Sequence, residues 1–104
     1  EDGDYSTYVK VTYTFNGEEK VFESTGNGPI DAVKRGLENV VGKGIKVLDY
    51  NEHALTSGSN AKAASYIHML DVESGKTTYG VGISGNITRS SIRGLFSAVN
   101  RLFY

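Results

Sequence analysis

Cysteine is absent from all 104 residues, which excludes disulfides, thiolate zinc sites and a cysteine nucleophile, and is compatible with a cytoplasmic location. Long apolar runs are missing too. None approaches the roughly 20 residues that a helix needs to cross a bilayer, and the acidic start Glu1-Asp2-Gly3-Asp4 does not look like a signal peptide, so no membrane is expected as partner. An excess of one charge is also lacking. Eleven basic and twelve acidic side chains leave a net charge of -1 and a pI near 6.1, with no electrostatic footprint for nucleic acid. The chain does not start with methionine, and it reads as a piece of a longer protein.

What remains is an ordinary globular composition, 38% hydrophobic and 22% charged, with a single proline. A chain of this length fits one domain spanning residues 1–104, burying about two-thirds of the surface that its unfolded form exposes.

Tyr8 to Phe15 alternates, with Val9, Val11, Tyr13 and Phe15 on one side and Lys10, Thr12 and Thr14 on the other, which predicts a half-buried strand. Asn16-Gly17 tolerates the positive φ of a tight hairpin turn, and Lys20 to Thr25 supplies the returning strand. Gly26-Asn27-Gly28-Pro29 breaks the pattern and opens a helix with Pro29 in its first turn. Ile30, Val33, Leu37, Val40 and Val41 give this helix an apolar stripe, opposite Lys34, Arg35 and Glu38, and Gly42 and Gly44 end it.

Ile45 to Leu55 is a long extended segment with a polar centre. A loop at Thr56 to Asn60 leads to a strand over Ala61 to Leu70, then a turn at Glu73-Ser74-Gly75-Lys76 and a strand over Thr77 to Ser84. Asn86 or Thr88 caps a final helix with apolar positions Ile87, Ile92, Leu95, Phe96, Val99, Leu102 and Phe103. The order ββαβββα predicts an α+β domain with helices packed on antiparallel sheet. Arg35-Gly36-Leu37 and Arg93-Gly94-Leu95 sit at comparable places in the two helices and point to an internal duplication.

Several groups bear on function. The Gly26 to Pro29 turn places backbone N–H groups at a helix N-terminus, where an anion such as a carboxylate is favoured; a plain strand-to-helix turn has the same pattern. Asp49, Glu52 and His53, with His68, are the densest ionisable cluster and the only candidates for metal binding or acid/base chemistry. In an extended segment Asp49 and His53 face one way and Glu52 the other, alongside Leu48, Tyr50 and Ala54, so the cluster cannot converge without a bulge. Small residues at Ala61, Ala63, Ala64, Gly80 and Gly82 leave room either for a close helix or for a branched aliphatic ligand.

Five segments in register, Gly26 to Ala32, Leu48 to Leu55, Gly58 to Ala63, Tyr79 to Ile83 and Ser97 to Arg101, resemble the C-terminal regulatory domain of 2-isopropylmalate synthases. The resemblance covers nearly the whole chain from about Tyr8. It implies two similar units of antiparallel strands followed by a helix, related by a pseudo-twofold duplication, and a homodimer that binds L-leucine near its interface as feedback inhibitor. The parent enzyme's divalent-metal-dependent catalytic TIM-barrel domain, which condenses acetyl-CoA with 2-oxoisovalerate, is not in this sequence. The chain alone is therefore expected to have no catalytic residues, no cofactor and no metal site. Carried over by position, the leucine site uses Gly26, Asn27, Gly28, Pro29, Ile30, Val47, Tyr50, Ala54, Ala61, Ala63 and Ile83. Enclosing the isobutyl group would contribute about 3 kcal/mol at roughly 0.8 per carbon, too little to separate leucine sharply from isoleucine. The isoleucine-binding domain of a citramalate synthase is the neighbouring alternative, and a small metal-dependent enzyme a more distant one.

Overall fold

The computed structural model describes residues 7–55, 58 and 61–104. The acidic start and most of the loop expected at Thr56 to Asn60 lie outside the described residues. The chain divides into two compact units, Glu1–Gly42 and Lys43–Tyr104. Its element order is the predicted ββαβββα, with helices on antiparallel sheet.

In the first unit, β1 (Thr7–Phe15) and β2 (Glu18–Gly26) form a hairpin whose register runs from Thr7 opposite Gly26 to Phe15 opposite Glu18. Asn16 (φ 53°) and Gly17 (φ 79°) make the turn, the pair of left-handed conformations that matches the twist of the flanking strands. The odd-numbered residues of β1 are half-buried and the even-numbered ones exposed, as the alternation requires. Helix α1 (Pro29–Val41) lies over the Phe22 side of the hairpin, and Gly36 is needed there because an added Cβ would strike the Phe22 ring. Gly42 (φ 70°) ends α1 in the left-handed conformation and donates its N–H to the Glu38 carbonyl at 2.8 Å.

The buried stripe of α1 differs from the expected one. It consists of Ala32, Val33, Gly36 and Leu37, while Val40 is 40% exposed. Small residues win this face because they let the helix axis approach the strands, which a reading based on apolar bulk does not register.

In the second unit, β3 (Ile45–Ala54), β4 (Ala63–Asp71) and β5 (Thr77–Ser84) form a sheet with β4 central, covered on one face by α2 (Ile87–Phe103). Ile45, Ile67, Met69, Leu95, Ala98 and Val99 form its apolar core. Gly80 and Gly82 point at α2, where an added Cβ would run into the backbone at Gly94 and Ser90; their missing side chains serve a close helix. Ala61, expected inside the strand, precedes β4 and is exposed. Asn86 caps α2, its side-chain oxygen accepting the Arg89 N–H at 3.0 Å.

Laid over one another at their Arg-Gly-Leu triplets, the two helices bury matching positions: Ala32, Val33, Gly36 and Leu37 fall on Ser90, Ser91, Gly94 and Leu95. Among the described residues each helix follows an antiparallel strand pair, and in the second unit β3 pairs with the other edge of β4.

Candidate functional site

The long polar strand β3 carries the feature that organises the second unit's surfaces. Its pairing with β4 shifts register between Val47 and Asp49, so Leu48 is the extra residue of a β-bulge. A bulge reverses the alternation. Ile45 and Val47 face α2 before it, and Tyr50, Glu52 and Ala54 face α2 after it, opposite Ile67, Ser65 and Ala63 of β4. Three positions of the candidate leucine site, Val47, Tyr50 and Ala54, thereby share one face, which an unbroken strand would have denied to Val47. The expected partnership of Leu48 with Tyr50 is replaced by that of Val47.

Under the first turns of α2, this face is polar. The Tyr50 hydroxyl donates to the Glu52 carboxylate and lies 2.6 Å from Ser91 Oγ. Ser65 Oγ lies 2.7 Å from Ser90 Oγ and 3.3 Å from Ser91 Oγ, and both helix serines donate to the Ile87 carbonyl at 2.9 and 3.0 Å. All three serines are fully buried, and this mutual bonding is what makes their burial tolerable. Burial and the Glu52 carboxylate both push the Tyr50 phenol above its ordinary value, so it stays a protonated donor at neutral pH. Sequence reasoning did not single out Ser65, Ser90 or Ser91; their spacing matches the buried stripe, but serine is ordinarily a surface residue. At the end of the sheet nearest the start of α2, Ala54, Ala63 and Ser84 form a row of small residues, with the Ala61 carbonyl beside Gly85.

The opposite face of the same sheet carries Asp49, Asn51 and His53 of β3, Ala64, Tyr66 and His68 of β4, and Tyr79, Val81 and Ile83 of β5. Asp49 and His53 thus face away from Glu52, and among the described residues no three of His, Cys, Asp or Glu gather as metal ligands would. His68 stacks on Tyr79 with centroids 4.2 Å apart, and His53 meets Tyr66 edge-on at 5.5 Å. Asn51, His53, Tyr66 and Tyr79 line a shallow concavity of about 400 Å³. Ile83, assigned by resemblance to the same pocket as Ala54 and Ala63, stands on this opposite face; strand register separates it from them.

The glycine-rich turn belongs to the first unit. Gly26 passes so close to α1 that an added Cβ would lie 2.5 Å from the Ala32 nitrogen. Gly28, at φ 128°, is the N-cap of α1, and no side chain caps this helix, in contrast to α2. Asp31 turns back instead, its Oδ2 accepting the Asn27 N–H at 2.9 Å and Arg35 Nε at 2.9 Å. Partial burial pushes the Asp31 carboxyl up, but the Asn27 N–H and the Arg35 guanidinium outweigh it and hold the group below the usual carboxylate range.

A family model described as the LeuA allosteric (dimerisation) domain matches residues 2–103. The chain belongs to this LeuA dimerisation-domain family. Proteins named 2-isopropylmalate synthase from Parafrankia sp. (strain EAN1pec), Mycobacterium ulcerans (strain Agy99) and Thermobifida fusca (strain YX) are 49%, 42% and 45% identical over 94, 101 and 101 residues. These alignments cover 89%, 97% and 97% of the chain but only 16%, 17% and 17% of the relatives, so the chain spans about one-sixth of their length. The LeuA-family match agrees with the regulatory domain that the sequence resembles. No helix among the described residues is long and apolar enough to cross a membrane.

Proposed function

We propose that this chain is the cytoplasmic allosteric domain of a 2-isopropylmalate synthase, that it pairs with a second copy, and that L-leucine is its effector. The observation that carries the reading is the family match across residues 2–103, together with relatives of that one name in which the aligned part is about one-sixth of the enzyme. Catalysis, and any divalent metal it uses, belongs to the remainder of the parent, and this chain has a regulatory role. The relatives' shared name favours leucine over the isoleucine of a citramalate synthase.

The chemistry of the residues supports an amino-acid effector. The N-terminus of α1 has backbone N–H groups, a favourable helix dipole and no side-chain cap, which suits a carboxylate. Gly28 has open space where a side chain would stand, leaving its backbone approachable. Val47, Ala54 and Ala63 offer apolar surface on the α2 side of the β3–β4 pair, with the Tyr50 hydroxyl and Glu52 carboxylate beside them as polar partners for an amino acid. Titration of isotopically labelled chain with leucine, followed by amide NMR shifts, tests this assignment. The expected perturbations fall on Gly26 to Ile30 and on Val47, Tyr50, Ala54 and Ala63. Shifts confined to other residues would refute it.

A further inference from the structure

The β3–β4–β5 sheet has one face under α2, and its other face has the wrong chemistry for water. A sheet with one face solvated normally alternates apolar residues inward with charged or hydroxyl residues outward. The outer face of the first unit's hairpin follows that rule: apart from Tyr8 and Val21, it presents Lys10, Thr12, Thr14, Glu19, Glu23 and Thr25. The outer face of the second unit breaks it. Tyr66, His68, Tyr79, Val81 and Ile83 form an uncharged aromatic and aliphatic surface, with Tyr79 50% and Ile83 45% exposed, while Lys46 and Asp49 stand along β3 at its margin. The outer faces of the two sheets thus differ in chemistry.

We infer that this outer face of the β3–β4–β5 sheet is the surface through which two copies of the chain associate. The inference rests on the dimer-forming reading proposed above and specifies where that association occurs. Interface centres are depleted of charge and rich in tyrosine, with charge left to the rim, and this face has that layout. Covering its Tyr66, Tyr79, Val81 and Ile83 centre leaves Lys46 and Asp49 at the rim, whereas covering the first unit's outer face would desolvate Lys10, Glu19 and Glu23. The His68–Tyr79 stack and the His53–Tyr66 contact already order their side chains, which lowers the entropy lost on association. The shallow concavity lined by Asn51, His53, Tyr66 and Tyr79 lies on this same face. A family described as a dimerisation domain identifies the occupant as another copy rather than an unrelated protein.

Sedimentation equilibrium of the 104-residue chain over a range of concentrations tests the inference, comparing the natural sequence with Val81→Glu and Val21→Glu. Both valines are exposed outward positions, so both variants should keep their circular dichroism. Val81→Glu should weaken self-association by about tenfold or more, since it buries an unpaired charge, and Val21→Glu should leave it unchanged. In a second measurement, a spin label at Val81→Cys, the only cysteine in the chain, should broaden Tyr66, His68 and Tyr79 amide signals of an unlabelled, isotope-enriched copy. A natural chain that stays monomeric at every concentration would overturn the dimer reading itself. Dimers that tolerate Val81→Glu and show broadening only elsewhere would overturn this placement and leave the dimer reading standing.

Discussion

At Gly82 a methyl group would meet the Ser90 carbonyl of α2, and backbone cannot step aside as a flexible side chain can. Gly17 presents the opposite case, with open space around it and a left-handed φ of 79°. Gly82→Ala should therefore destabilise the second unit by about 2–3 kcal/mol through overpacking. Gly17→Ala should cost only about 1 kcal/mol, the strain of an L residue in that conformation. Urea unfolding midpoints measure both, and equal losses would contradict the close-packed α2. Asp71 offers a pH test. Its Oδ2 accepts from Ser74 Oγ at 2.7 Å and its Oδ1 from the Glu73 N–H at 3.1 Å, and these bonds, that of Ser74 foremost, hold its carboxyl below the usual carboxylate range. A carboxyl lowered on folding contributes stability above its unfolded pKa, and the contribution disappears as pH falls through the folded value. Asp71→Asn should thus be less stable than the natural chain at pH 7, and the difference should shrink in acid. A difference that is constant with pH would show that the charge has no part in it.

At the scale of elements, the bulge at Leu48 makes a pointed prediction. Deleting Leu48 would restore regular alternation while keeping Ile45, Val47, Tyr50, Glu52 and Ala54 on the α2 face. Deleting Asn51 would instead turn the residues on one side of the cut to the wrong face. The first variant should unfold cooperatively with near-natural hydrogen-exchange protection in β4, and the second should lose it. Equal damage from both would refute the role given to the bulge. The hairpin and both helices were legible in sequence because a period of two, an Asn-Gly turn and a period of 3.6 are local signals. The bulge was not, since nothing within β3 marks it; it exists only in the pairing with β4. For the same reason, alternation in β5 could not tell that Ile83 faces away from Ala54 and Ala63. The buried stripes were half legible: Val33, Leu37, Leu95 and Val99 declared themselves by bulk, whereas Ala32, Gly36, Ser90 and Ser91 are buried because they are small. The candidate site itself came from resemblance, because a glycine-rich turn and scattered alanines carry no ligand identity of their own.

For the whole molecule, the two units share a plan but have diverged in what they expose. The first has a charged outer sheet face and an uncapped helix start at Gly28; the second has a capped helix and an outer face whose charges, Lys46 and Asp49, are confined to the β3 margin. That division suits a module with two tasks, receiving a small effector that carries a carboxylate and holding a second copy. Conveying the bound state to a catalytic site requires the rest of the parent, since coupling is a free energy shared between two sites. Effector identity is therefore the central claim, and calorimetric titration of the chain with leucine, isoleucine and valine tests it most directly. The account predicts saturable heat with leucine and weaker binding of the other two. Preferential binding of isoleucine, or a folded chain that gives no heat with leucine, would contradict it.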